Sequence, residues 1–194
     1  MDAHRLTLAC ATAAELRAAR RAGARSALVG LGAANGVPEG ALVSFGLAGA
    51  LREGLPSGTV LDATRVVDGA GSVLWEGEPL GVAGARPATI LAAEEIVDGA
   101  EERRALHERT GADAADLESG PLARTGRLRG VLRAVSDTPD RPLNGIAKAV
   151  TSDGGYHWAG LARAFAREPR RFTRAAGDAR RALRRLTAAT REWA

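Results

Sequence analysis

Two acidic residues and two glycine-rich segments come directly after apolar runs that predict β-strands. Glu118 and Asp137 each follow such a run, and so do Gly32 and the segment from Gly46 to Gly49. Ligands of open α/β sheets bind beyond the carboxyl ends of the strands, so these residues are predicted to meet around one pocket. Two carboxyl groups there could transfer a proton and hold polar groups of a ligand, and glycines would let it approach the backbone.

Each of these residues also has a purely structural interpretation. The segments around Gly32 and Gly46 could be plain tight turns, where glycine serves backbone geometry alone. Glu118 could cap the helix that follows it, and Asp137 could cap a turn. Glu15, on an alanine-rich helical segment, could lie on a solvated face.

The composition and the order of apolar and charged runs predict one α/β domain over residues 1–194. The chain has 194 residues, 45% of them hydrophobic, with 24 glycines and only 4% aromatic residues. This favours tight glycine turns between strands and helices over a β-sandwich. Strands are predicted at Leu6–Cys10, Ser26–Gly30, Ala41–Phe45, Thr59–Val67, Ser72–Trp75, Ala88–Ala92 and Gly130–Val135. Helices are predicted at 13–23, 100–110, 157–168 and 170–193, the last two separated at Pro169.

Cysteine, histidine and hydropathy patterns point to an intracellular protein with no built-in metal. Cys10 is the single cysteine, so no internal disulfide can form, and a reducing cytoplasm is expected. The uncharged run Leu6–Ala14 is too short to span a bilayer or to act as a signal peptide. The histidines, His4, His107 and His157, have no partners at ligand spacing, so no metal site is expected.

The C-terminal part, residues 141–194, is predicted to be a basic helical tail. From Leu161 onward ten arginines face three acidic residues, a net charge of +7 that leaves −3 for the preceding chain. An apolar stripe of Phe172, Ala176, Leu183, Leu186 and Trp193 would either pack on the domain or lie on an anionic membrane surface. Because the tail lacks interleaved aromatics and the body is acidic, no nucleic-acid partner is expected.

Four motifs carry a resemblance to a known family. In sequence order they are VSFGLAGAL (43–51), PSGTVLDAT (56–64), ADLES (115–119) and VLRAVSDTPD (131–140). Together they resemble the nucleoside phosphorylase and methylthioadenosine/S-adenosylhomocysteine nucleosidase family over Leu6 to Asp140, and the tail resembles the hopanoid-associated phosphorylase subgroup. The resemblance implies a central mixed twisted sheet flanked by helices, shortened by about one helix between Gly32 and Phe45.

The resemblance also implies roles for the acidic residues. Cleavage of a purine N-glycosidic bond needs an acid near the base and a carboxylate near the ribose. Asp137, placed by Ser136, would protonate purine N7. Glu118, beside Leu117, would hold the ribose hydroxyls and favour positive charge on the ring. Glu15 stands nearest to the residue that activates water in the family's hydrolases.

Other positions match the family's substrate-binding segments, with departures. Gly46, Leu47, Ala48 and Gly49 would let the backbone approach the ligand, and Gly32 would lie near the nucleophile. Ile96 stands where relatives often stack an aromatic ring on the base. Ser44 and Leu47 stand where several phosphorylases bind phosphate, so a phosphate clamp is not evident.

These implications lead to an expected function. A cytoplasmic enzyme would release adenine from adenosylhopane or a similar 5′-substituted adenosine, with phosphate as co-substrate and without a cofactor. The alternatives are a hydrolase of methylthioadenosine, S-adenosylhomocysteine or futalosine, which would use water, and a non-catalytic nucleoside-binding protein. A homo-oligomer, a dimer or larger, is expected, with peripheral contact at the inner membrane surface as a further possibility.

Overall fold

A computed structural model of the chain describes residues 6–142, 151–155, 166 and 168–193. The strands are β1 (Thr7–Cys10), β2 (Ser26–Leu28), β3 (Leu42–Ala50), β4 (Val60–Val67), β5 (Val73–Glu76), β6 (Arg86–Ala92), β7 (Ala114–Asp116) and β8 (Leu128–Asp137). The helices are α1 (Ala13–Arg21), α2 (Ala100–Thr110), α3 (Ser119–Arg124) and α4 (Pro169–Trp193), with a short 3₁₀ turn at Leu31–Ala33. The predicted helix over 157–168 lies almost wholly outside the described residues.

The strands form one mixed sheet in which β3 and β4 change neighbours along their length. The order is β2-β1-β3-β7-β6-β4-β5, and β8 pairs with both β3 and β4. Strand β3 pairs with β1 at its start and with β7 at its end, while β8 runs parallel along its other edge. The pairings therefore close a ring of β3, β8, β4, β6 and β7, and the predicted mixed α/β fold is confirmed.

Strand β8 is buried on both faces, because helices cover both sides of the sheet. Val131 and Val135 pack in the core that includes residues of α3. Leu132 and Ala134 pack in the core that includes residues of α1 and α4. Side chains alternate between the faces of a strand, so Arg133 belongs to the same face as Val131 and Val135. The strand thereby brings a charged side chain into the interior.

The predicted turn at Gly46–Gly49 is wrong, because these four residues continue β3. Gly46 pairs in register with Arg133 of β8, and Gly49 pairs with Asp137. Gly46 and Gly49 do not reverse the chain; they allow side chains of neighbouring elements to approach the β3 backbone closely. Between β2 and β3 the chain contains only the 3₁₀ turn, without an α-helix.

Helix α4 packs the C-terminal part of its apolar stripe on the domain and presents its arginines to solvent, while Phe172 and Ala176 are half-buried outside the core. Ala182 and Leu186 are fully buried, with Leu183 and Trp193 packed around them. The indole Nε1 of Trp193 donates to the Leu80 carbonyl at 2.9 Å, which fixes the end of the helix. Within the described part of the chain, no helix is both long and apolar enough to cross a membrane.

Candidate active site

Glu15 links the start of α1 to the middle of β3. Thr12 caps the helix, and its backbone N–H donates to Glu15 Oε2 at 2.8 Å in a reciprocal capping box. The other carboxylate oxygen, Oε1, accepts from the Leu47 N–H at 2.8 Å. Glu15 is only 4% exposed, so its interpretation as a residue on a solvated face is wrong. Its carboxylate instead contacts the glycine-containing part of β3.

Gly46 has no room for a side chain, because Glu15 of α1 and Arg133 of β8 both approach β3 at this residue. A Cβ atom on Gly46 would lie 2.6 Å from Arg133 Nη1 and closer still to Glu15 Oε1. Both neighbours are buried, so neither side chain can swing into solvent to make room. A side chain at this position would therefore displace two of the charged groups at once.

We expect Gly46→Ala to displace Glu15 and Arg133 and to lower the stability of the fold by about 1–3 kcal/mol, as overpacking of a tight interior does. Urea unfolding followed by circular dichroism would measure the change. Gly69→Ala is a matched control, because a Cβ there has nothing within 4 Å. Equal stability of the two variants would contradict the close approach at Gly46.

Arg133 is a buried arginine that pairs with two acidic side chains, Asp116 and Glu118. Its side chain is fully buried, with Nε 2.6 Å from Asp116 Oδ2 and Nη2 3.3 Å from Glu118 Oε2. Nη2 also donates to Ser44 Oγ at 2.6 Å. Arg133 and Asp116 were not predicted from the sequence as site residues, although an arginine inside the apolar run VLRAV is a visible signal of a paired interior charge.

Glu118 stands immediately before α3 and turns toward Arg133 rather than capping the helix. Its side chain makes no capping hydrogen bond to α3, so the cap interpretation is wrong. Oε1 accepts from the Gly32 N–H at 3.3 Å, and the residue is 3% exposed. Burial raises the pKa of Glu118 to about 8 against the opposing charge of Arg133, with Asp116 raising it further.

We expect the raised pKa of Glu118 to make the protein less stable as the pH rises from about 5 to about 8. Unfolded glutamate ionises near pH 4.5, whereas folded Glu118 retains its proton to about pH 8. The folded state then binds more protons, so the free energy of unfolding falls with rising pH in this interval. In Glu118→Gln this fall should be smaller. Chemical denaturation at several pH values would measure it, and identical slopes in both proteins would contradict the assignment.

Asp137 ends β8 in a second buried group. Its Oδ2 accepts from Arg103 Nη2, and its Oδ1 accepts from Ser136 Oγ. Burial raises the pKa of Asp137, and the charge of Arg103 opposes this. A Cβ on Gly49 would lie 2.9 Å from Asp137 Oδ2, so β3 again approaches a carboxylate at a glycine. Ser136 Oγ lies 3.3 Å from the Ala48 carbonyl oxygen.

The two buried groups, one around Arg133 and one around Asp137, lie one after the other along the paired strands β3 and β8. Arg133 and Asp137 are four residues apart on β8, which corresponds to about 13 Å along a strand. Gly46 and Gly49 lie opposite them on β3. The two buried groups are therefore separate clusters along the same pair of strands, one around Arg133 and the other around Asp137.

A pocket of about 360 Å³ adjoins the Glu118 end of this arrangement. Gly32 and Leu117 line it together with Leu31, Ala92, Ala93, Glu94, Pro121 and Arg124. Ile96 is 39% exposed and is not among these lining residues. The structure thus brings Glu15, Gly46, Leu47, Gly32 and Glu118 to one group. It brings Ala48, Gly49, Ser136 and Asp137 to the other and leaves Ile96 outside the pocket. Among the described residues, no cluster of three or more His, Cys, Asp or Glu side chains could hold a metal ion.

The fold is that of nucleosidases that act on purine nucleosides. The 5′-methylthioadenosine/S-adenosylhomocysteine nucleosidase of Helicobacter pylori, in complex with a substituted pyrrolidinol that carries an aminopyrrolopyrimidine, superposes with a TM-score of 0.61 at 14% identity. The match covers 99% of this chain and 100% of that chain. Futalosine hydrolase of the same species gives a TM-score of 0.58 at 13% identity, with 96% and 98% covered. The methylthioadenosine/S-adenosylhomocysteine nucleosidase of Streptococcus pneumoniae gives 0.59 at 17% identity, with 88% and 99% covered. No protein-family model and no curated protein matches the sequence.

Proposed function

We propose that this protein is an enzyme that cleaves the N-glycosidic bond of a purine nucleoside. The observation that carries the proposal is the convergence of Glu15 and Glu118 on buried Arg133, with Asp137 four residues further along the same strand. The nucleosidase fold of the structural neighbours supports it.

The two groups match the two charges that develop in the reaction. The ribose becomes oxocarbenium-like, and Glu118 would hold the ribose hydroxyls with its carboxyl oxygens and, in its ionised form, stabilise that positive charge. The departing purine must gain a proton, which Asp137 would supply to N7 while Ser136 orients its carboxyl group. The raised pKa of Asp137 favours this role, since a group that donates a proton near neutral pH must still hold it there.

The side chains around Glu15 favour water, rather than phosphate, as the acceptor of the ribosyl group. Asp116 and Glu118 both pair with the guanidinium of Arg133, and Glu15 lies beside it at Gly46. A guanidinium already engaged in this way is not available to a phosphate dianion, whereas Glu15 could accept a proton from water. Phosphorolysis of adenosylhopane or a similar 5′-substituted adenosine, the function expected from the sequence, stays a prediction that the same experiment tests.

The experiment is a measurement of base release from paired adenosine and inosine derivatives, with and without phosphate. The 5′ substituents should include methylthio and long apolar groups. We expect release without phosphate and incorporation of solvent oxygen into the sugar product when the reaction runs in H₂¹⁸O. Strict dependence on phosphate would instead establish phosphorolysis. Tight binding without release by the folded protein would leave a nucleoside-binding protein.

We also propose that the arginine face of α4 associates reversibly with anionic membranes. Eight arginines of this helix are exposed, while its apolar side chains from Ala182 to Trp193 pack on the domain, so attraction would be mainly electrostatic. They are Arg170, Arg171, Arg174, Arg180, Arg181, Arg184, Arg185 and Arg191. We expect cosedimentation with anionic liposomes at low salt and release at high salt. No cosedimentation at low salt would refute the proposal.

A further inference from the structure

Among the described residues, the cationic side chain that pairs with Asp137 is Arg103, which comes from the highly charged helix α2. Its side chain is 1% exposed. Nη1 donates to the Ala50 carbonyl at 3.0 Å, and Nη2 donates to the Val97 carbonyl at 2.8 Å as well as to Asp137 Oδ2. The guanidinium is therefore held in place by two backbone carbonyls and does not depend on Asp137 alone.

The hydrogen bonds of Arg103 determine which hydrogen-bond donors and acceptors beside Asp137 are left to bind a ligand. The carbonyls of Ala50 and Val97 and one oxygen of Asp137 already accept from it. An arginine has five N–H donors, and Arg103 Nε, although buried, has no hydrogen-bond partner among the described residues. This end of the site thus has an unused donor in Arg103 Nε.

Purines differ in what they present beside N7. A 6-oxopurine presents two acceptors, O6 and N7, which arginine recognises, whereas a 6-aminopurine presents an N–H donor beside N7 and suits an amide side chain. A base whose N7 faces Asp137 places its C6 substituent within about 3 Å of N7, on the edge that a neighbouring guanidinium can reach. An amino group there would face Arg103 donor against donor, and the buried Nε would stay unpaired.

We propose that Arg103 determines base specificity and that the substrates are 6-oxopurine nucleosides. This rests on the proposed function and deepens it, because it names the class of base that leaves. It differs from the adenine nucleoside expected from the sequence. Arg103 would hold O6 while Asp137 protonates N7, and the glycosidic electrons would pass to the purine as water attacks the ribose.

The test compares 5′-methylthioinosine with 5′-methylthioadenosine, which share the same sugar and 5′ group. For the unaltered protein we expect kcat/KM about 10- to 100-fold higher for the inosine derivative, the discrimination that a paired arginine gives. Arg103→Met should abolish that preference, and Arg103→Lys, which keeps the charge but lacks the planar fork, should reduce it. Arg104→Met is the matched control, because Arg104 is the next residue of α2 and is exposed, 3.6 Å from Glu53. It should leave the ratio unchanged.

Binding of the free bases keeps this inference separate from the proposed function. Hypoxanthine should raise the melting temperature of the unaltered protein more than adenine does, and Arg103→Lys should narrow the difference. If neither nucleoside is cleaved but this difference is seen, the proposed function fails and the role of Arg103 stands. Equal binding and cleavage of both base types, a preference for adenine, or an unchanged ratio in both Arg103 variants would overturn the inference.

Discussion

Asp137→Asn is expected to lower the rate of base release by about 10²- to 10⁴-fold, the usual contribution of a general acid. Asparagine keeps the shape of the side chain but has no proton to give to N7. The loss should appear mainly in kcat, because the proton transfer develops in the transition state rather than on binding. Steady-state kinetics on the best nucleoside of the panel would measure it.

Asp140→Asn provides the control for this substitution. Asp140 lies three residues further along the chain, is exposed, and accepts from Thr138 Oγ1 at 2.5 Å. It should retain the full rate. Circular dichroism must show that Asp137→Asn is folded, since Arg103 loses its charged partner. A folded variant with nearly full activity would remove Asp137 from the mechanism.

Glu15→Gln is expected to reduce hydrolysis by a similar factor of about 10²–10⁴, because glutamine cannot take a proton from water. A structural effect should accompany it. Glutamine can still accept from the Thr12 N–H, but its amide NH₂ would then face the Leu47 N–H, donor against donor. That mismatch should lower the free energy of unfolding by about 1–3 kcal/mol.

Glu101→Gln separates the two effects. Glu101 is an exposed acidic residue in the first turn of α2, so its substitution removes a similar charge from a helix start without touching the site. Activity and stability should both remain close to those of the unaltered protein. If Glu15→Gln lowers stability but leaves the rate unchanged, Glu15 is only a helix cap.

The sequence was sufficient to predict the strand that carries Asp137, because this acid follows the apolar run Gly130–Val135. The three-residue strand β7 before Glu118 was not predicted, since it is too short to show a pattern. The sequence was also insufficient at Gly46–Gly49, where glycines normally signal a turn. There the glycines accommodate Glu15, Arg133, Arg103 and Asp137, which lie far away in sequence, so local propensity carries no trace of the contact.

The partners of the two acids were the least predictable part of the site. Arg133 stands out in an apolar strand, whereas Arg103 is one of several charged residues in EERRALHERT and resembles an ordinary solvated position. Its burial depends on how α2 packs beside Ala50 and Val97, which is a tertiary property. Only a three-dimensional arrangement distinguishes it from its neighbour Arg104.

The side chain of Glu15 has two roles, one in the capping box of α1 and one in the proposed site. The carboxylate of Glu15 both secures the first turn of the helix and stands at the proposed water site. Fraying of that turn would therefore move the base, so local melting at the start of α1 and loss of catalysis would be a single event. Natural variation at Thr12 would then tune activity without altering any residue that touches the substrate.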